Sequence, residues 1–154
     1  MNRKKNIQLL LTDVERANLR KNKIKKADIL AYAVDELQEI LQVSNIRARK
    51  IYALADFQQI PSIGIKFAED LIFMGFYKVQ DLAKEDGATL VNEYEKKKGY
   101  WIDSCVEDQF RLVVYVAKTN DYSKNWWDFT EERKHYRKKI GYPENRPLKA
   151  WYQH

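Results

Sequence analysis

The stretch LADFQQIPSIGIKFAEDLIFMGF, residues 54–76, decides the fold. One helix ends at Ile60, because the proline after it disfavours helical geometry in the preceding residue. Pro61-Ser62-Ile63-Gly64 makes a four-residue turn, and a second helix starts at Ile65. Gly75 stops that helix at a position suited to glycine. Ile63 plugs the turn between the two helices, and Ala68 is small where they cross. Gly64 permits a backbone geometry and a closeness of approach that a Cβ would forbid. Such a turn aims backbone N–H groups outward from a helix N-terminus. Those amides and the positive helix end favour a phosphate.

Helical signals also dominate on either side. In ADILAYAVDELQEILQV, residues 27–43, Leu30, Val34, Leu37 and Leu41 fall on one helical stripe. Ser44 is a good cap for the next helix. There Ile46, Ile51, Leu54 and Phe57 are expected inward, and Arg47, Arg49 and Lys50 outward. VQDLAKEDGATLVNEYEKKKG predicts a short helix, a turn near Gly87 and a helix ending at Gly99. Ser104 and Glu107 match a capping box. Val106, Phe110, Val113, Val114 and Ala117 follow as an apolar face. Thr130 is expected to cap a last helix ending at Gly141. No run shows sustained alternation of period two. The expectation is an all-α fold, a small multi-helix domain with an irregular, aromatic-rich C-terminal extension. The expected parts are a basic N-terminal arm or helix over 1–26, the turn-containing bundle over 27–100, and a helical extension packed on it over 101–154.

Composition bounds the function. The 154 residues are 45% hydrophobic, enough for a core, with 32% charged and a net charge of +6. The charge is uneven: +7 over residues 1–26, −5 over 27–128 and +4 over 129–154. Basic ends suit an anionic partner, or are solvated helix faces. One cysteine, Cys105, forms no internal disulfide and points to a reducing compartment. No stretch approaches the roughly 18 apolar residues of a membrane span. The expectation is a cytoplasmic protein.

No catalytic constellation stands out. The only histidines, His135 and His154, sit at no ligand spacing to Cys105 or to each other. Cys105 reads as a small apolar helix residue. The acids of DSCVED suit the first turn of a helix. No phosphate-binding loop or dinucleotide fingerprint is present, so no cofactor or metal is expected. The C-terminal aromatics, among them Trp126, Trp127, Tyr136, Trp151 and Tyr152, read mainly as core or tail-docking residues. Bases can also stack on such rings, and the interleaved Arg133, Arg137 and Arg146 can line a groove.

The turn resembles the helix-hairpin-helix motif of DNA-binding proteins, with apolar-Pro, then Ile63-Gly64, then Ala68 and Leu71. The motif usually has glycine where this chain has Ser62. The resemblance implies phosphate-facing amides at Ile63 and Gly64, with Lys66 beside them. Together with WIDSCVEDQFRLVVYVA, WWDFTEERKHYR and GYPENRPLKAWY, the stretch resembles the bacterial pathogenicity-locus family over most of residues 20–154. What that resemblance implies is DNA binding without an established reaction. The expected function is therefore a non-enzymatic DNA-binding module with Ser62, Ile63, Gly64, Lys66, Arg47 and Arg49 as contacts. The alternative is a protein–protein interaction module in which the hairpin is a packing element.

Overall fold

A computed structural model describes residues 6–153. The part of the expected basic arm in residues 1–5, and His154, lie outside the described residues. The chain is all-helical, and among the described residues there is no strand. It divides into two compact units, one through Lys78 and one from Val79. Residue 100, an expected boundary, lies inside the second unit.

The first unit holds α1 (Asp13–Lys21), a short 3-10 helix (Lys26–Ala31), α2 (Val34–Leu41), α3 (Asn45–Phe57) and α4 (Ile65–Phe73). The central element is α3, packed by α2, α4 and the 3-10 helix. Ile51, Leu54 and Phe57 lie inside, as the sequence predicts. Ile46 does not: it is 73% exposed. It sits in the first turn of α3, about 140° around the helix from Ile51 at the helical repeat of 3.6. Arg47 is half-buried rather than free. The expected helix over 27–43 is two pieces, broken where Tyr32 and Ala33 turn extended. The Glu36 carboxylate accepts the Ala33 N–H at 2.9 Å and starts α2 afresh. The break turns Ile29 rather than Leu30 fully inward.

Residues 6–12 are not helical, and Ile7, Leu9 and Leu11 alternate into the core. The Gln58 side chain holds them as a neighbouring strand would. It accepts from the Gln8 N–H at 3.0 Å and donates to the Gln8 carbonyl at 2.6 Å. Thr12 and Glu15 then form a reciprocal capping box for α1.

The second unit holds a 3-10 turn (Val79–Leu82), α5 (Gly87–Lys98), α6 (Ser104–Thr119), a 3-10 turn (Trp126–Phe129), α7 (Thr130–Ile140) and a last 3-10 turn (Trp151–Gln153). Its centre is α6, with Phe110, Leu112, Val113, Val114 and Val116 all buried. The turn expected at Gly87 is instead the first residue of α5, capped by Asp86. A Cβ on Gly87 would come within 2.9 Å of the Arg111 backbone, so glycine lets α5 approach α6. Two expected caps shift. Asp103, not Ser104, caps α6, accepting from the Cys105 N–H at 3.0 Å. Thr130 is already inside α7 and donates its hydroxyl to Asp108 at 2.8 Å. The tail is docked: the Trp101 N–H donates to the Lys149 carbonyl at 2.9 Å, and the Trp151 N–H to the Trp101 carbonyl at 2.8 Å.

Candidate nucleic-acid interface

The connection between α3 and α4 is a tight turn. The Ile63 N–H donates to the Ile60 carbonyl at 3.2 Å, with Pro61 and Ser62 as its central residues. Ser62 has φ +64°, in the left-handed region. A proline followed by a positive φ is the type II pattern, whose second central residue favours glycine. That is the place where the resembled motif has glycine, so the backbone explains the preference. Serine keeps the geometry with strain, and its hydroxyl donates to the Pro61 carbonyl.

Gly64 departs from expectation. Its φ of −102° and ψ of −171° are extended backbone open to any residue. A Cβ built there meets nothing within 4 Å. Neither conformation nor packing in the described fold requires glycine at this place. Gly64 and Lys66 are exposed, Ser62 is partly covered, and Ile63 is only 3% exposed. Ile63 therefore anchors the turn, and its amide is spent on Ile60. The outward amides are those at the start of α4, whose first N–H groups have no intrahelical partner. No side chain caps α4. The starts of α2 and α7 likewise lack a side-chain cap, whereas Thr12, Ser44, Asp86 and Asp103 cap α1, α3, α5 and α6.

The two arginines assigned to the same surface are otherwise engaged. The Arg47 guanidinium donates to both Glu15 oxygens at 2.8 Å and to the Leu10 carbonyl at 3.0 Å. This pairing holds the Glu15 carboxyl below its usual range. Arg47 ties α3 to the capping box of α1. Arg49 is exposed and stacks its guanidinium 4.0 Å from the centre of the Tyr77 ring. The sequence of the first unit carries 14 basic and 9 acidic residues, net +5, against 14 and 13 in the second, net +1.

In the second unit the acids of DSCVED do more than suit a helix start. Glu107 and Asp108 are buried and ion-paired. Arg137 donates to Glu107 at 3.0 Å, to the Gly141 carbonyl at 3.0 Å and to Asn92 at 3.1 Å. Arg133 donates to Asp108 at 2.8 Å, and Arg111 to Glu107 at 3.1 Å. Glu95 holds Arg146 through two bonds of 2.8 and 3.0 Å. Arg146 in turn lies 3.7 Å from the Tyr142 ring centre. The arginines read as a phosphate groove are thus the ties that fasten α7 and the tail. The signal that could have found this is the acidic pair Glu107-Asp108 within a helix otherwise apolar on most sides. Trp127, Trp151 and Tyr152 keep exposed rings.

Cys105 is partly covered, and burial with the neighbouring Asp103 pushes its thiol up to about 11. A thiol with that pKa is protonated at neutral pH and a poor nucleophile. No cluster of His, Cys, Asp and Glu among the described residues is arranged to hold a metal. No helix there is long and apolar enough to cross a membrane. No curated protein and no solved structure matches the chain. Residues 48–135 match the family described as pathogenicity locus, Cdd1. That span covers more than half of the 154 residues and runs from α3, through the turn, into α7. By that match the chain belongs to the pathogenicity-locus family.

Proposed function

We propose that the chain is a non-enzymatic DNA-binding module, and that α3, its turn and α4 act as a helix-hairpin-helix. The amides of Gly64, Ile65 and Lys66 would donate to a phosphate, with the Lys66 ammonium beside them. The observation that carries this reading is Gly64, a glycine without an internal reason. Extended φ and open space mean the fold tolerates a side chain there. An approaching anion would not, because a Cβ would stand between it and the amides. The uncapped start of α4 and the net +5 of its unit point the same way. Backbone contacts carry no sequence information, so the preference among sequences is small. One such grip is weak, with a Kd of roughly 10⁻⁴–10⁻⁶ M at physiological salt.

The test is a fluorescence titration with duplex, single-stranded and branched DNA at two salt concentrations. The log of affinity falls by about 0.9 per phosphate contact for each unit of log salt. Lys66→Glu weakens binding and lowers that slope by about 0.9. It leaves the fold intact, because the first turn of a helix favours a carboxylate. A slope near zero on every DNA form refutes the reading.

A second reading makes the hairpin a packing element of a protein-interaction module. It is favoured by the burial of Ile60 and Ile63 and by the grip of Gln58 on Gln8. Lys66→Glu binding DNA as well as the parent at low salt would put this reading first.

A further inference from the structure

The segment held by Gln58 and Arg47 contains a leucine in a conformation leucine rarely adopts. Leu10 has φ +54° and is 52% exposed. For a bulky residue this is an outlier. Strain of this kind persists only where the surroundings over-determine it, and it clusters at functional sites. Here the surroundings are explicit. Gln58 clamps both polar groups of Gln8, Arg47 donates to the Leu10 carbonyl, and Arg16 donates to the Leu11 carbonyl at 2.7 Å.

Beside Leu10 lies a surface groove of about 380 Å³. Leu11, Leu19 and Ile24 give it an aliphatic floor, and Arg20 and Lys26 stand among its lining residues. Both cations are exposed. They belong to the run RKNKIKK, residues 20–26, which has five cations and no acid. From this we infer that the groove docks an acidic segment of a partner protein, which inserts one large apolar side chain against Leu10 and sets carboxylates on Arg20 and Lys26. Charge complementarity selects the occupant. The chain's own Arg3-Lys4-Lys5 is cationic, and a second copy brings a net charge of +6. Nucleic acid is a poorer match, because phosphates on the cations would leave the aliphatic floor unfilled and no aromatic ring lines the groove to stack a base. Anchoring by one side chain in a pocket, ringed by charge, is how protein interfaces concentrate their affinity. The inference uses different residues from the α4 turn and stands apart from the DNA-binding proposal.

The test uses the full chain and fluorescein-labelled peptides. The first has a Leu-Phe centre flanked by aspartates, the second has lysines for the aspartates, and the third has serines for Leu-Phe. Expected is saturable binding of the first peptide alone. Arg20→Glu combined with Lys26→Glu weakens it roughly tenfold or more, with an unchanged melting temperature. Leu10→Asn, a residue that tolerates positive φ, also weakens it roughly tenfold through the lost apolar contact. It does so while melting at or above the parent, a pattern that a merely structural Leu10 would not give. Equal binding of the lysine peptide, or unchanged binding by the Arg20/Lys26 variant, overturns the inference. So does the absence of saturable binding by any peptide. Displacement of the first peptide by duplex DNA, lost in the Arg20/Lys26 variant, assigns the groove to nucleic acid and overturns it as well.

Discussion

Gly64→Ala separates folding from binding at the proposed grip. At φ −102° and ψ −171° alanine fits without strain, and its Cβ meets nothing within 4 Å. Two small terms remain for the fold. Alanine is a poorer N-cap than glycine, by about 0.5–1 kcal/mol. It also lowers the entropy of the unfolded chain, a gain of about 0.4–1 kcal/mol. The two nearly cancel, and the net is within about 0.5 kcal/mol of zero. For a chain of this size that shifts the melting temperature by no more than about 2 °C. Binding has no such cancellation. A methyl group between the phosphate and the α4 amides costs at least one hydrogen bond to a charged acceptor, about 1.5–3 kcal/mol. That is roughly a tenfold to hundredfold rise in Kd. The assay is fluorescence anisotropy on a labelled duplex at low salt, paired with a thermal melt. If Gly64→Ala binds as the parent does, the amides do not touch DNA. If it melts many degrees lower, glycine serves the fold and the central observation behind the proposal is lost.

Ser62→Gly relieves a positive φ that costs roughly 1–2 kcal/mol, less the entropy penalty of glycine, about 0.5–1 kcal/mol. Stability measured by chemical denaturation should rise by about 0.5 kcal/mol, and a fall would show that the bond from the Ser62 hydroxyl to Pro61 matters more. Arg137→Met leaves Glu107, Asn92 and the Gly141 carbonyl short of a buried donor, and breaking such a pair costs about 3–5 kcal/mol; a loss under about 1 kcal/mol would show that water replaces the guanidinium. The Glu15 carboxyl, lowered from 4.5 chiefly by Arg47, stabilises the fold above its unfolded value, and this contribution disappears as pH falls through the folded value. Arg47→Met should therefore flatten the acid limb of a stability-versus-pH curve, and an unchanged limb would place the acid sensitivity elsewhere. Cys105→Ala should leave DNA binding unchanged and cost on the order of 1 kcal/mol. Iodoacetamide should react slowly with native Cys105, because its thiol is pushed up to about 11; fast alkylation would show an exposed thiolate.

Helix ends were legible in the sequence where the chemistry that makes them is local. Gly75 and Gly99 end α4 and α5 with positive φ, and Ser44 caps α3 through the Arg47 N–H. The apolar face of α6 was legible for the same reason, since its period lies within one element. The misread features depend on partners far along the chain. Gln58 holds Gln8 from 50 residues away, and Arg137 meets Glu107 across 30. The alternation of Ile7, Leu9 and Leu11 was too short to announce a non-helical segment. Glu107 satisfied a capping pattern by spacing, and that local explanation hid its buried one. At the candidate site the tight turn after α3 was legible from Pro61, because the conformational limits of proline are local. The sequence did not reveal that the strained residue would be Ser62 and the unconstrained one Gly64, because φ depends on how Ile63 is seated.

The division of labour between arginine and lysine bears on what the surface can recognise. Arg47, Arg111, Arg133, Arg137 and Arg146 are all held by carboxylates. The fork of a guanidinium suits two-point pairing and tolerates burial better than an ammonium. The fold has thus used these five arginines as internal ties, while Arg16, Arg20 and Arg49 stay exposed. What faces solvent is mainly lysine: Lys66 on α4, Lys21, Lys23, Lys25 and Lys26 after α1, and Lys138 and Lys139 on α7. Arginine gives the commonest base-specific contact in the major groove, whereas lysine meets phosphate as a point charge. On the proposed reading Lys66 and the start of α4 hold a backbone rather than read bases, a grip insensitive to sequence and strongly dependent on salt.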